Sequence, residues 1–300
     1  MQIALTGATG FLGRYLATDF AAAGHGLRCW YRPSSDREGF GETADAIQWL
    51  PGQLGSLTAC HQLVDGCQAV VHAALARPGR EFRGGEGDLL TFVETNLLGT
   101  LQLIEAARAA GIDRFVFIST CAVHEVILED RALDETHPLW PTSHYGAHKA
   151  AIEKFVHSFG LGTGYEICAL RPTGIYGLAR PARLSKWYNL VQSVAEGKTV
   201  ECRRGGKEVH AADVARAARL LLQAPGIAGQ AYNCYDHYVS EFEVATIAKK
   251  LSGSDAEILG QETTPKHQIE TGKLQALGMQ FGGAALLEQT IDQLVAAARD

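Results

Sequence analysis

The chain has 300 residues, 46% of them hydrophobic and 20% charged, with a formal net charge of -6. This is ordinary globular composition with enough chain for a sizeable core, and the acidic balance without a long basic run excludes a nucleic-acid tract. No apolar run reaches the length of a membrane span, and "MQIALTG" lacks the basic start of a signal peptide, so the cytoplasm is the expected location.

"QIALTG" is an apolar run ending in glycine and reads as a buried strand. "FLGRYLATDFAAAGH" follows with Leu12, Leu16 and Phe20 at helical spacing, and Gly24 stops it. "GLRCWYR" and "AIQWLPG" are the second and third strands, "LTACHQLVDG" a short helix, and "CQAVVHAAL" the fourth strand. Residues 77–88, "RPGREFRGGEGD", form a glycine-rich, charged loop expected to be mobile. One long helix is expected over 89–111, then a fifth strand in "IDRFVFIST". "HYGAHKAAIEKFVHSFG" is helical and "GYEICALRP" is a strand.

Strands alternating with helices imply an α/β fold with a parallel sheet covered on both faces. After Pro172 the rhythm breaks into shorter mixed elements, but "DVARAARLLLQAP" and "GQAYNCYD" read as a helix and strand returning to the sheet. The expected division is therefore 1–172 with about 212–237 as one domain, and 173–211 with 238–300 as a lobe. Seven scattered cysteines form no CxxC or other ligand spacing, so no metal site is expected and a reducing compartment is.

The stretch "TGATGFLG" carries Gly7, Gly10 and Gly13 between a strand and a helix. In that context the first glycine permits a tight turn, the second lets backbone approach a pyrophosphate, and the third allows close packing. The helix N-terminus offers unpaired N–H groups to the phosphates. Gly7, Thr9, Gly10, Phe11, Leu12 and Gly13 are thus the expected contacts of a dinucleotide. An NAD site places a carboxylate at the end of the second strand to hold the ribose 2′-OH. Here the chain reads Trp30, Tyr31, Arg32, Pro33, Ser34, Ser35. Arg32 can pair with a 2′-phosphate, Ser34 or Ser35 can donate to it, and Arg14 and Arg37 are weaker helpers, so NADP(H) is favoured over NAD(H).

"YGAHK" places Tyr145 and Lys149 four apart on one helix face. A nearby ammonium favours the phenolate of a tyrosine, which can then exchange a proton with a substrate hydroxyl or carbonyl while hydride moves.

With these motifs, "HAA" at 72–74, "NLLGTLQLIEAA" from Asn96, "RFVFIST", "LRPTGIYG" at 170–177 and "HAADVA" at 210–215, nearly the whole chain resembles the extended short-chain dehydrogenase/reductase family, the NAD(P)-dependent epimerase/dehydratase group. The resemblance implies a Rossmann-type doubly wound sheet with a smaller C-terminal substrate-binding lobe. It implies a third catalytic hydroxyl, Thr120, with Ser119 as the fallback, and Asn96 supporting the active site from the long helix. His72, Ala73 and Ala74 would line the cofactor, Gln53 and Leu54 would flank the adenine, and Arg171 and Pro172 would lie beside the nicotinamide. Family members often dimerise through the helices carrying Asn96 and Tyr145, so a homodimer is expected.

The family's dehydratases carry an acid pair after the catalytic hydroxyl, where this chain reads Cys121, Ala122, Val123. Its sugar-nucleotide members usually carry Asn where Thr173 stands and Arg near Gly206, with only Arg203 and Arg204 upstream here. The expectation is therefore an oxidoreductase of carbonyls or secondary alcohols, with an epimerase of a sugar or sugar nucleotide as one alternative and a non-catalytic dinucleotide sensor as another. Candidate substrate contacts are Arg77, Arg80 and Arg83 in the glycine-rich loop, then His124, Trp140, Tyr176, Arg180, Arg183, Trp187 and Tyr188. His124 stands where the family commonly has Tyr, so its ring either faces substrate or is a satisfied buried group.

Overall fold

A computed structural model describes residues 1–79 and 84–299. In chain order the elements begin with β1 (Gln2–Thr6), α1 (Phe11–Ala22), β2 (Gly26–Tyr31), β3 (Ile47–Pro51), α2 (Leu57–Val64) and β4 (Ala69–His72). They continue with α3 (Leu89–Val93), α4 (Gly99–Ala109), β5 (Arg114–Ile118), α5 (His144–Thr163) and β6 (Glu166–Pro172). Next come β7 (Gly174–Tyr176), α6 (Tyr188–Ala195), β8 (Val200–Cys202), β9 (Gly205–His210), α7 (Ala211–Leu221) and β10 (Gln230–Cys234). The chain closes with β11 (His237–Ser240), α8 (Glu241–Ser252), β12 (Ile258–Gly260), α9 (Gly272–Gln275) and α10 (Gly283–Arg299).

The chain divides into two units. The first holds Met1–Pro172, Val214–Cys234 and Glu270–Met279; the second holds Thr173–Asp213, Tyr235–Ile269 and Gln280–Asp300. Residues 270–279 therefore belong with the first unit, not with the rest of 238–300. Lys273 ties them there, donating to Gln230 Oε1 and Ala231 O at 2.8 Å each, and Glu270 N donates to Leu133 O at 3.0 Å.

The first unit is a Rossmann-type sheet in the order β10-β6-β5-β4-β1-β2-β3, with every pairing parallel. The chain runs outward from β1 through β2 and β3, then returns to β4 on the other side. The order thus reverses between β1 and β4, where Thr6 lies opposite His72. In such sheets that crevice, beyond the carboxyl ends of the strands, is where ligands bind. The strands are near-continuous apolar runs because both faces are covered. Val70, Phe115, Phe117 and Ile167 pack with Leu63 of α2, Leu103 and Ile104 of α4, and Ile152 and Val156 of α5.

The expected long helix over 89–111 is interrupted by a π turn at Glu94–Leu98. Two side chains bond back onto helix carbonyls there: Asn96 Nδ2 donates to Phe92 O at 3.0 Å, and Thr100 Oγ1 donates to Asn96 O. Such single π turns break the helical ladder without ending the helix. The side-chain chemistry of Asn96 overrides an unbroken 3.6-residue period.

The second unit holds a three-stranded sheet, β11-β9-β7, and a pair, β12-β8. Its core joins Val191 and Val194 of α6, Val244 and Ala248 of α8, and Leu287, Ile291 and Leu294 of α10.

Candidate functional site

The glycine turn sits at the β1–β4 switch point. Gly7 has φ +76, which an L side chain rarely adopts, and a Cβ on it would stand 2.9 Å from the Ala73 and Ala74 backbone. A Cβ on Gly13 would overlap the Gly7 carbonyl oxygen, so this glycine packs helix against turn. Helix α1 has Gly10 as its N-cap, with no side-chain cap and no acidic residue in its first turn. Its first N–H groups therefore face outward with the positive end of the helix dipole, a cradle suited to a pyrophosphate.

Beneath this turn lies a closed chain of hydrogen bonds. Thr6 Oγ1 accepts from Ala73 N and Ala74 N at 3.1 Å each, so its proton goes to His72 Nδ1 at 2.6 Å. The opposite ring atom, Nε2, then donates to Thr100 Oγ1 at 2.9 Å. Burial, with Lys149 nearby, pushes His72 down to about 3, which fits this neutral tautomer. His72 was expected to line the cofactor; its ring is instead bonded between Thr6 and Thr100, and the backbone of Ala73 and Ala74 borders Gly7. Asn96 is likewise committed. Its Oδ1 accepts from Ala76 N and its Nδ2 donates to Ala76 O, both at 2.8 Å, so it clamps the turn instead of reaching a ligand.

At the end of β2 the sequence carries no acidic residue before Asp36. Arg32 is exposed, and its turn is closed by Arg32 N to Ser35 Oγ at 2.9 Å and Ser35 N to Arg32 O at 2.8 Å. Arg37 stacks over the Tyr31 ring at 4.2 Å. Arg14, expected as a helper, instead anchors residues 36–40, donating to Glu38 O at 2.6 Å and Asp36 O at 2.8 Å and pairing with Asp36 Oδ2 at 3.2 Å. Gln53 is exposed, whereas the Leu54 side chain is in the core and leaves only backbone to flank an adenine.

The second half of the site is built from the ends of β5 and β6 and the start of α5. Thr120 is 9% exposed; its Oγ1 accepts from Ala122 N at 3.1 Å, which leaves its proton for another acceptor. Ser119 donates its proton to Glu153 Oε1. A Cβ on Gly146 would stand 2.7 Å from Ala122 O, so the glycine of "YGAHK" is what lets the start of α5 approach the segment after Thr120. Lys149 Nζ donates to Ile118 O, the last carbonyl of β5, at 2.8 Å and lies 4.5 Å from the Phe117 ring. Burial pushes Lys149 down to about 7, with Glu153 opposing. The Tyr145 ring lies 5.5 Å from that of His148, and the Tyr145 phenol is close enough to raise the Arg77 guanidinium against the burial that lowers it.

Three carboxylates that the motifs did not flag support this arrangement. Glu86 is 7% exposed and accepts from Tyr145 N at 3.1 Å, capping the start of α5 from a distant loop. Burial pushes the Glu125 carboxyl up, but bonds from Thr142 N, Thr142 Oγ1 at 3.0 Å, Ser143 Oγ at 3.0 Å and Ser143 N at 2.8 Å hold it below the usual range. Glu153 lies four residues beyond Lys149, a spacing that could have marked it.

Glu153 also overturns an expectation. Arg171, expected beside the nicotinamide, is 1% exposed and pairs with Glu153, Nη2 to Oε2 at 2.5 Å and Nε to both oxygens at 3.0 Å. Its Nη1 donates to His124 Nε2 at 3.2 Å. His124 Nδ1 in turn donates to Pro138 O at 3.2 Å. Burial, then Arg171, pushes His124 down to about 4. The expectation that His124 faces substrate gives way to its being a satisfied buried acceptor. Pro172 is the buried end of β6, opposite Cys234.

In the second unit, Tyr176 is fully buried, its ring 5.3 Å from Trp187 and 5.0 Å from His210. Trp187 packs against the same core. Both were expected at substrate; the Tyr176 ring lies in the core with its Oη unpartnered, and Trp187 is partly buried against it. Tyr188 donates to Ala297 O at 3.3 Å. Arg180, Arg183 and Trp140 are exposed, Arg77 is half-buried, and Arg80 and Arg83 lie outside the described residues. Among the described residues no group of His, Cys, Asp or Glu could hold a metal ion, and no helix is long and apolar enough to cross a membrane.

The residues present fit a nicotinamide dinucleotide: a turn that admits no Cβ, an uncapped helix start, and a buried lysine beside a tyrosine. Comparison with known proteins bears on this. The UDP-glucose 4-epimerase of Rhizobium meliloti (strain 1021) is 29% identical over 193 residues, covering 62% of this chain and 56% of that protein. The chain thus spans little more than half the length of the first such relatives. A ketoreductase of Stigmatella aurantiaca acting on a 4-hydroxy-2-methyl-3-oxo-4-farnesyl-3,4-dihydroquinoline-1-oxide is 30% identical, covering 86% of this chain and 75% of that one. Among solved structures, the UDP-glucose 4-epimerase of Thermus thermophilus in complex with NAD superposes with a TM-score of 0.77 at 23% identity, covering 100% of this chain and 99% of that one. At that identity the likeness shows the fold. A family model described as "NAD dependent epimerase/dehydratase family" matches residues 3–234, and the chain belongs to that family.

Proposed function

We propose that the protein is an NADP(H)-dependent oxidoreductase that interconverts a carbonyl and a secondary alcohol, using Tyr145, Lys149 and Thr120. The observation that carries this is Lys149: a buried lysine held on the last carbonyl of β5, one helical turn from Tyr145. Burying a lysine ammonium is costly, and burial that brings its proton affinity near neutrality marks a functional-site candidate.

When bound, the nicotinamide dinucleotide supplies or accepts the hydride. Backbone N–H groups from Gly7 to Gly13 would hold its pyrophosphate, and Arg32 with Ser35 its 2′-phosphate. In the reducing direction the Tyr145 hydroxyl gives its proton to the carbonyl oxygen. The Lys149 ammonium stabilises the phenolate left behind and can return a proton to it. Thr120 donates a hydrogen bond to the same substrate oxygen; Ser119 donates its hydrogen bond to Glu153, which favours Thr120 as the donor. Dehydration is disfavoured by the residue after Thr120: the Cys121 thiol donates to Arg171 O at 3.0 Å, and burial pushes it up to about 12.

The test is a titration with NADPH and NADH of the wild type and Arg32→Ala, followed by nicotinamide fluorescence, with hydride transfer measured in Tyr145→Phe. NADPH binding tighter than NADH, lost with Arg32, supports the reading. Tighter NADH binding overturns the NADP assignment, and retained turnover in Tyr145→Phe removes Tyr145 from the mechanism.

A second reading, epimerisation of a sugar nucleotide, is favoured by the epimerase relatives named above. Cofactor retained through purification and stereochemical inversion without net redox change would establish it. The ketoreductase relative, with its wide coverage, favours the first. The expected homodimer is checked by light scattering.

A further inference from the structure

In the second unit, buried side-chain atoms without a hydrogen-bond partner gather on one sheet. Among the described residues these are Thr173 Oγ1, Tyr176 Oη, Glu208 Oε2 and His237 Nε2; Ser254 Oγ lies outside that sheet. Glu208 on β9 is in register with Gly174 on β7 and with His237 on β11. Thr173 precedes Gly174, and Tyr176 ends β7. Unpartnered buried polar atoms each cost about 1–3 kcal/mol, so their concentration calls for a physical reason.

Glu208 is the centre of the group. It is 2% exposed, and only Oε1 has a partner, Lys186 Nζ. Two glycines make room for the carboxylate. A Cβ on Gly174 would stand 2.5 Å from Glu208 Oε2, and one on Gly206 would overlap Oε1. The Lys186 side chain is 37% exposed, so the pair has a face on solvent and a flexible stem covering it.

The charge around the group is mainly negative. Besides burial, Asp236, Asp213, Glu208 and Glu243 lie near enough to Tyr176 to push its phenol up, so Tyr176 stays a hydroxyl donor. The cation facing Glu208 from the α6 side is Lys186, and from β11 it is His237, whose Nδ1 lies 3.0 Å from Asp236 Oδ2. A nucleoside diphosphate brought here would meet these carboxylates across a low-dielectric interior. An uncharged polyol would not. One hydroxyl can donate to Glu208 Oε2 while another accepts from Tyr176 or Lys186.

We propose that Glu208, in the room left by Gly174 and Gly206 and beside Thr173, Tyr176 and His237, forms a subsite that binds an uncharged hydroxyl-bearing moiety and rejects a nucleoside diphosphate. That the moiety belongs to the substrate rests on the oxidoreductase reading; the binding itself does not.

The experiment uses the full chain and calorimetric titration with D-glucose, methyl β-D-glucoside and myo-inositol as neutral probes and UDP as the charged one. The wild type saturates with at least one neutral probe and not with UDP, and Glu208→Ala weakens the neutral probe about tenfold or more, the value of one hydrogen bond to a charged acceptor. Saturable UDP binding in the wild type with the cofactor site filled by NADPH overturns the proposal. So does the absence of saturation by every neutral probe, or equal affinity in wild type and Glu208→Ala. NADPH titration of each variant reports folding. Glu208→Gln keeps the shape beside Lys186, and loss of NADPH binding in both variants would make Glu208 a folding element and overturn its role in binding. Polyol binding without NADPH-dependent carbonyl reduction would leave the subsite standing and sink the oxidoreductase reading. Reduction unaffected by Glu208→Ala would leave the oxidoreductase reading standing and overturn the assignment of the moiety to the substrate.

Discussion

The molecule contains two buried carboxylate–cation pairs, and they are built to different standards. In the first unit Glu153 and Arg171 are each 1% exposed. Both carboxylate oxygens accept from the guanidinium, Ser119 adds a third donor, and the remaining Arg171 nitrogen reaches His124 and Glu135 O. In the second unit Glu208 has one oxygen bonded to a partly exposed lysine and the other to nothing. Burying a charge is tolerated when every hydrogen-bonding site around it is used, and the first pair meets that condition. Such a pair holds strands and helix in place; a pair with an open site is where a ligand can finish the coordination. The comparison also explains why Arg171, which reads in the sequence as a cofactor contact, is a structural residue.

The largest effect should come from breaking the closed pair. Arg171→Met leaves Glu153 as an uncompensated buried charge and is expected to cost about 3–5 kcal/mol in urea unfolding. Glu208→Gln should cost less than about 1 kcal/mol in the same assay, because the open pair is already incompletely satisfied. Equal losses in the two variants would erase the distinction between the pairs.

Lys149 borders the closed pair through Glu153 and gives the next effect, of opposite sign. Its folded value of about 7 lies below the ordinary lysine value of 10.5, so folding disfavours its proton. Lys149→Met should abolish turnover yet gain about 2 kcal/mol of stability at pH 7, after loss of the bond to Ile118 O is counted. Between pH 7 and 10.5 the unfolded wild type binds the extra proton, so its stability rises with pH and the variant's advantage shrinks. Unfolding curves at two pH values check this, and a destabilised variant at pH 7 would refute it.

The last effect is acid sensitivity of the same network, read as a slope against pH. His124 must stay neutral to accept from Arg171, and its folded value of about 4 lies below the unfolded 6.5. Its contribution is fully present above pH 6.5 and is lost as pH falls towards 4, at about 1.4 kcal/mol per pH unit. His124→Gln should flatten that part of the stability–pH curve; an unchanged slope would show that other groups set it.

Much of the first unit was legible because its signals are local. The glycine spacing in "TGATGFLG" fixes a turn, a helix start and a close approach within a few residues, and Gly7 takes the φ that only glycine adopts readily. Alternating strand and helix periods pointed to the parallel sheet. The break in the long helix was not legible, since it depends on Asn96 bonding to Ala76, 20 residues away. The second unit was less legible because its short strands carry little periodicity. Tyr176 and Trp187 were read as candidate substrate contacts, and only packing against α6 and β9 shows that their rings join the core.

The sequence by itself determined the backbone devices of this protein: the glycine turn, the strand–helix alternation, and the one-turn spacing of Tyr145 and Lys149. These follow from residue conformation and the 3.6-residue helical period, which neighbouring residues carry. The tertiary structure alone decided which polar side chains are committed. It gave Ser119 to Glu153, kept the proton of Thr120 for another acceptor, set Glu86 on Tyr145 N across 59 residues, and joined Arg171 to His124 across 47. Hydrogen bonds between distant segments form only where folding brings them within about 3 Å, and no local pattern in the chain encodes that distance.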